Sequence, residues 1–260
     1  MMAFFEYVGG QVLKLLEYLG ALVILLGETL AWILRGAIRL GLTVQQMAHL
    51  GVDSLVIVVL TTTTVGMVIS LQLAHIAVKY GVASVVGGGV AIAMAREMGP
   101  GLTAVVVAGR AGAAITAELG TMRVTEQIDA MRVMAVSPVR YLVVPRLLAL
   151  LAMMPVLTIF SMVAGTLGGA VIAYDSAGIP YDSFFDSVQR LTVMDDIYGG
   201  LQKSLVFAIE IALVACHQGL TCPRGAAGVG LATTRSVVFA TIILFITNYF
   251  MSAWLFPVTG

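Results

Sequence analysis

Arg96 and Glu97 stand side by side inside an apolar run. An ion in hydrocarbon is costly, about 3 kcal/mol per residue at mid-helix even on permissive scales. Each of the two must therefore face protein or a watery cavity. Neighbours on a helix point about 100° apart, so they need not pair with each other. Two kinds of chemistry fit them. One is a structural ion pair that ties helices together. The other is the lining of a pathway that meets a charged or polar headgroup. Lys203, near one end of a later apolar run, is a possible third member on position and charge, and Glu210 sits in the middle of that run. Gln72 and His75 are polar for a lipid-facing wall and could face a cavity.

A second chemistry-bearing stretch is Thr121–Arg132. Arg123, Thr125, Glu126, Gln127, Asp129 and Arg132 are available to a partner, and Met122, Ile128, Met131 and Ala135 can form an apolar side. The plain alternative is a solvated helix connecting two spans. Between the two stretches, Arg110 and Glu118 lie two helical turns apart. Arg110 could snorkel to headgroups, and Ala108, Gly109, Gly112, Ala113, Ala117 and Gly120 favour close helix packing around it.

Other reactive residue types form no constellation. His49, His75, His217, Cys216 and Cys222 have no metal-ligand spacing, so no metal site is expected and the cysteines read as free thiols. Ser70 with His75 or His217 is the only raw material for an intramembrane hydrolase, and it sits in no recognisable motif. No catalytic residue is assigned. There is no G-x-x-x-x-G-K-[ST] run, so ATP would have to bind elsewhere.

Composition sets the elements that must hold these residues. The chain is 60% hydrophobic and 11% charged, with a mean hydropathy of +1.02. A soluble domain carries roughly 25% charged residues, so the class is an integral membrane protein. Zero formal net charge offers no footprint for nucleic acid. The first residues have neither a basic n-region nor an A-x-A site, so a signal peptide is not expected.

The expected fold is an all-α, single membrane domain over 1–260. Residues 4–26 carry a helical apolar stripe (Phe4, Phe5, Val8, Val12, Leu15, Leu16, Leu19, Leu22, Val23, Leu26) opposed by Glu6, Gln11, Lys14 and Glu17, so 4–34 reads as an interfacial or partly inserted helix rather than a full span. Spans are expected at about 55–78, 83–117, 142–174, 201–217 and 236–256. Asp53-Ser54 reads as the N-cap of the first span. The second is about 50 Å long as a straight helix, against roughly 30 Å of hydrocarbon. Pro100 is its expected break, and Arg96 falls about 20 Å along it, well inside the bilayer. The third span carries Gly165-x-x-x-Gly169, a close-approach spacing. Asp175–Gly200 is a polar loop whose Phe184, Phe185, Val188 and Leu191 suggest a short surface helix. A polar helix at about 121–136 leaves the membrane. Alternation puts Arg35, Arg39, Arg123, Arg132, Arg140, Arg146, Arg224 and Arg235 on one side, which the positive-inside rule makes cytoplasmic. The N-terminus is then cytoplasmic and the C-terminus outside.

Three runs carry a family resemblance: Glu97-Met-Gly-Pro, Ala108-Gly-Arg-Ala-Gly, and Ala117-Glu-Leu-Gly-Thr-Met-Arg-Val-Thr-Glu-Gln-Ile-Asp-Ala. The chain resembles the MlaE/YrbE permeases, most densely over about 96–146. These are the membrane subunits of ABC systems that work with MCE-domain proteins. The resemblance implies a homodimer in the bacterial inner membrane. Its coupling helix, here about Thr121–Val136, docks on a P-loop ATPase subunit that holds the ATP and magnesium, with no cofactor on this chain. It implies a periplasmic MCE-protein ring and a small STAS-type cytoplasmic subunit as partners. Phospholipid is the implied cargo, with maintenance of outer-membrane lipid asymmetry as the role. Two other readings stay open on the residues alone. One is a proton-coupled secondary transporter using Glu97 and Glu210; five spans and no visible repeat count against it. The other is a scaffold that moves nothing.

Overall fold

The computed structural model describes residues 2–36 and 38–257, with side chains from Gly9 onward apart from Leu15. The expectations placed on the side chains of Phe4, Phe5, Glu6, Val8 and Leu15 lie outside the described residues. Among the described residues there are eight helices and no strand: α1 Met2–Leu34, α2 Leu40–Lys79, α3 Ala83–Val124, α4 Gln127–Val133, α5 Val139–Ala177, α6 Tyr181–Leu191, α7 Met194–Leu220 and α8 Ala226–Leu255. The protein is an all-α multi-pass membrane protein. Six of these helices are long and apolar enough to cross a membrane, α1 over Gly9–Leu34 among them.

The helices alternate between two ends. One end holds α4 and the arginines Arg123, Arg132, Arg140 and Arg224. The other holds α6, with Asp182 and Asp186, and the last turn of α8. The main core fills the space between α3, α5, α7 and α8, with Ile115, Leu119, Leu150, Met154, Phe207 and Ile211 fully buried. A smaller core at the α6 end packs Phe184 against Val86, Val90 and Met94.

Small residues set the closest approaches. A Cβ on Gly66 of α2 would stand 2.0 Å from the carbonyl oxygen of Gly165 on α5, and one on Gly168 would stand 2.7 Å from the Thr63 carbonyl oxygen. The G-x-x-x-G spacing therefore serves the contact of α5 with α2 in the same chain. The hydroxyls of Thr61, Thr62, Thr63 and Thr64 bond back to the preceding turn. Ser70 instead donates across to the Gly169 carbonyl at 2.6 Å.

Several helices run past their expected bounds through π turns. A π turn at Met47–Gly51 and a 3-10 turn at Val52–Ser54 carry the helix of α2 from Leu40 through to Lys79. Ser54 does not cap a helix there; its hydroxyl donates to the Leu50 carbonyl at 2.7 Å. Arg110 reaches this turn, with Nη1 on the His49 carbonyl at 3.0 Å and on Ser54 Oγ at 2.9 Å, and Nη2 3.3 Å from Asp53 Oδ2. Its role is to hold α3 to the start of α2, not to reach headgroups.

Helix α1 is placed by its aromatic contacts. Tyr18 sits edge-on to His217 at 5.3 Å, and Gln218 donates to its hydroxyl at 3.4 Å. Arg140 lies over Trp32 at 5.4 Å. Tyr18 and Trp32 are about 20 Å apart along α1, yet both meet the arginine-bearing ends of α7 and α5. That stretch of α1 therefore crosses the end of the bundle.

Candidate functional site

The polar centre of the molecule is built on a π turn. Helix α3 changes register at Met94–Met98, and such one-turn insertions recur at functional sites. Both charged residues of the turn face α7 and α8. Arg96 Nε donates to Asp196 Oδ1 at 2.6 Å. Its guanidinium lies 4.6 Å from the centre of the Phe256 ring, a cation–π contact. Glu97 Oε1 accepts from Lys203 Nζ at 2.8 Å, and Oε2 accepts from Asn248 Nδ2 at 2.9 Å. Arg96 thus bonds to α7, and Glu97 to α7 and α8, rather than to each other.

Pro100 explains why a lysine fits here. Proline has no N–H, so the carbonyl of Arg96, four residues back, loses its α-helical donor. Lys203 Nζ supplies the missing donor at 2.8 Å. The helix does not break at Pro100; the π turn before it absorbs the mismatch, and α-helix resumes at Gly99. Lys203 also donates to Ser252 Oγ at 2.7 Å. All three of its N–H groups are used, and the residue is 0% exposed. Ser252 Oγ stands 2.7 Å from both Glu97 Oε1 and the Asn248 carbonyl, with one proton to give to either.

Asp196 completes the set. It is 1% exposed. Its second oxygen accepts the Val193 N–H at 3.0 Å, which fixes the first turn of α7. The four charges form a neutral group, two cations against two carboxylates. Breaking such a group by removing one member is costly because it leaves a buried charge alone. The side chains of Arg96 and Glu97 are each 37% exposed; both Glu97 oxygens are engaged, so the unused hydrogen-bonding capacity lies on the outer edge of Arg96. Among the described residues its terminal amino groups have no hydrogen-bond partner.

The centre lies toward one end of α7 and α8. Asp196 lies in the first turn of α7, and Phe256 directly follows the last residue of α8. Arg96 is therefore level with one end of those two helices. The first turns of α3 extend past it and are covered by α6, whose Ser187 hydroxyl accepts the Gly88 N–H at 2.9 Å. Gln72 and His75 are exposed on α2 and belong to no part of this network. His75 Nδ1 bonds within its own helix, 2.8 Å from the Leu71 carbonyl. Glu210 lies two turns further along α7 than Lys203, with Oε2 buried and unpartnered.

Sequence reading missed Asp196, Asn248, Ser252 and Phe256. Asn248 and Ser252 carried a signal, since two polar residues four apart share a helix face. Asp196 carried none, because it stands among other aspartates in a polar stretch.

The second site lies at the other end. Helix α3 runs on to Val124, so Thr121–Val124 are its last turn, and Thr125-Glu126 link it to the short α4. Glu126 adopts φ +60°, a left-handed conformation that is costly for a residue with a Cβ. Ile128 is fully buried and anchors α4 to the main core. Arg123 Nη1 is 2.6 Å and Arg132 Nη1 3.4 Å from Asp129 Oδ1, so these three charges are engaged with one another. Gln127 Nε2 donates to Thr125 Oγ1 at 3.0 Å. Glu126, Gln127 and Arg132 are exposed. A polar cleft of about 350 Å³ separates this segment from the loop after α7, lined by Arg123, Glu126, Asp129, Cys222 and Arg224. Behind it, buried Arg146 pairs with Glu118 at 2.7 Å and binds α5 to α3.

Residues 43–254 match the family profile described as Permease MlaE. The chain belongs to the MlaE permease family. It is 43% identical to a probable ABC transporter permease protein of Synechocystis sp. over 94% of this chain and 93% of that one. It is 33% identical to a probable ABC transporter permease protein of Rickettsia typhi over 96% of this chain and 97% of that one. It is 37% identical to protein trigalactosyldiacylglycerol 1, chloroplastic, of Arabidopsis thaliana, over 91% of this chain and 68% of that one. The matched region contains the Arg96–Phe256 network up to Ser252 and the whole α3–α4 junction. An MlaE permease is an ABC transporter permease, which sets aside the proton-coupled secondary transporter.

Proposed function

We propose that this chain is the membrane subunit of an ABC system that moves phospholipid between the inner membrane and a periplasmic MCE protein, and so maintains outer-membrane lipid asymmetry. In this reading it works as a homodimer. Each copy receives a P-loop ATPase, which holds ATP and magnesium, on α4 and the cleft beside it. A small STAS-type subunit completes the cytoplasmic side. The arginine-bearing end is cytoplasmic, by the positive-inside rule, and the α6 end and C-terminus are periplasmic.

The observation that carries the reading is the α3–α4 junction. A rigid span ends in a two-residue corner and a short helix held by buried Ile128 and by the Arg123–Asp129 pair, with Glu126, Gln127 and Arg132 exposed. A lever of that form passes force from a partner into α3, which also carries Arg96 and Glu97. The open edge of Arg96 suits a phosphate or other anionic headgroup. A relative whose name contains that of a diacylglycerol lipid fits a lipid cargo.

The test is transfer of fluorescent phospholipid between proteoliposomes holding this chain and a soluble MCE protein, with and without the ATPase. ATP-dependent transfer is expected, and Arg132→Glu lowers both transfer and ATPase binding. No transfer with all partners present, or transfer that needs no ATPase, overturns the reading.

A further inference from the structure

Beside the π turn, on the side where Ala91 and Ala95 emerge, lies a cavity of about 290 Å³. Its long wall is one face of α5: Ile159, Met162, Val163, Thr166 and Leu167, spaced i, i+3, i+4, i+7, i+8. That wall is about 12 Å long. The lid is α6, through Phe185 and Val188, and the closing end is Thr192 and Ile197. Helix α6 is locked to α3 by Gly87, Gly88 and Ser187, but it meets α5 across this slot. Ile159, Val163 and Leu167 are each about half exposed, so the slot opens sideways toward lipid.

Two polar groups touch it. Thr166 Oγ1 is satisfied by the Met162 carbonyl at 2.8 Å. Thr192 Oγ1 is buried and has no hydrogen-bond partner. An unbonded hydroxyl in an apolar setting costs about 1–3 kcal/mol, so a ligand that brings an acceptor to it is favoured. The slot is too small for a helix, which is about 10–12 Å across, and it sits at the low end of small-ligand pocket sizes, about 300 Å³.

We propose that this slot holds one acyl chain of a membrane phospholipid, entering between α5 and α6, with the Thr192 hydroxyl donating to an ester oxygen at the head of the chain. The chain fills the gap between α5 and α6 and lies against the backbone of Ala95, next to Arg96. This site is separate from the open edge of Arg96 and does not depend on the cargo proposed above.

The experiment uses the full chain in phosphatidylcholine nanodiscs doped with phosphatidylcholine that carries a diazirine in one acyl chain. After irradiation, adducts are mapped by mass spectrometry. Adducts concentrated on 159–167 and 185–192, above the level on the exposed apolar residues Val238, Ile242 and Phe245 of α8, are expected. Val163→Trp fills the slot and removes that excess while the α8 adducts stay. Val188→Phe does the same from α6 and serves if the first variant does not fold. Thr192→Val lowers the excess by about two- to tenfold, the worth of one hydrogen bond. Adducts equal on the slot and on α8, unchanged by either filling variant, mean ordinary surrounding lipid and overturn the proposal. Loss of the slot adducts on assembly with partner subunits assigns the slot to a partner's side chains and overturns it equally.

Discussion

Lys203 spends its three donors on Glu97, the Arg96 carbonyl and Ser252, so it has none left for a ligand. Its place in the network is structural, and that can be measured. Lys203→Ala leaves the Glu97 carboxylate facing Asn248 and Ser252 alone, and it leaves the Arg96 carbonyl without a donor. Loss of one partner of a fully buried pair costs about 3–5 kcal/mol; with the Glu97 side chain 37% exposed the cost here falls toward the lower end, and a neutral pair of similar volume recovers much of it. The expected result in detergent unfolding is therefore a large drop for Lys203→Ala and for Glu97→Ala, with Lys203→Met combined with Glu97→Gln close to the native protein. If the double variant is as unstable as the singles, the pair is not what holds α3 to α7. Arg96 is different, because its outer edge is open. Arg96→Lys keeps the charge but loses the Nε contact to Asp196 and the flat stack on Phe256. A transport loss larger than its stability loss is expected, read by comparing lipid transfer with the unfolding midpoint. Arg96, Glu97 and Lys203 were legible as a group because charge is rare in this sequence. Their partners were not. An aspartate among aspartates and a serine in a span look like a solvated loop and a helix-internal hydroxyl until the folded chain brings them together.

At the scale of elements, α2 and α5 depend on the absence of side chains. A methyl group on Gly66 has to displace the backbone of Gly165, because the clash is with a carbonyl oxygen and not with a flexible side chain. Gly66→Val is expected to abolish folded protein, read as loss of the monodisperse peak in size-exclusion chromatography. Gly101→Ala is the control. Nothing lies within 4 Å of its Cβ position, and Ala replaces Gly in a helix interior with a gain of about 0.5–1 kcal/mol. If both variants behave alike, close backbone approach is not what sets the α2–α5 contact. Most helices were legible from apolar runs and their interruptions; their ends were not. Pro100 read as a break, yet the π turn at Met94–Met98 takes up the register and the Lys203 amine takes the freed carbonyl. The start of α2 was hidden in the same way. Asp53-Ser54 has the residues of a cap, but a π turn at Met47–Gly51 followed by a 3-10 turn at Val52–Ser54 carries the helix through them, and Arg110 takes up their oxygens. Neither device has a periodicity that a sequence displays. The polar helix leaving the membrane was expected over 121–136. Its first four residues belong to α3, and the corner falls at Glu126, a residue type that carries no turn signal.

For the whole molecule, the two ends are chemically distinct. The α4 end carries Arg123, Arg132, Arg140 and Arg224, and the α6 end carries Asp182 and Asp186, with Arg190 beside them. By the positive-inside rule that asymmetry favours α4 on the cytoplasmic side, and two single cysteines test it. Both native thiols are poor targets: Cys216 is fully buried and Cys222 is 6% exposed. Burial also pushes the Cys222 thiol up, which keeps it in the unreactive protonated form at neutral pH. In a background with Cys216→Ala and Cys222→Ser, Asp182→Cys on α6 and Arg132→Cys on α4 each place one exposed thiol at opposite ends. A membrane-impermeant maleimide added to spheroplasts, with the outer membrane removed, is expected to label Asp182→Cys directly. Labelling of Arg132→Cys should need disruption of the inner membrane. The reverse pattern puts α4 outside, where no ATP is present, and removes the mechanical link between that helix and an ATPase. Equal labelling at both positions in intact spheroplasts means the helices between them do not cross the membrane as one bundle. Only the first pattern lets force applied at α4 travel along α3 to the turn that holds Arg96 and Glu97 at the far end.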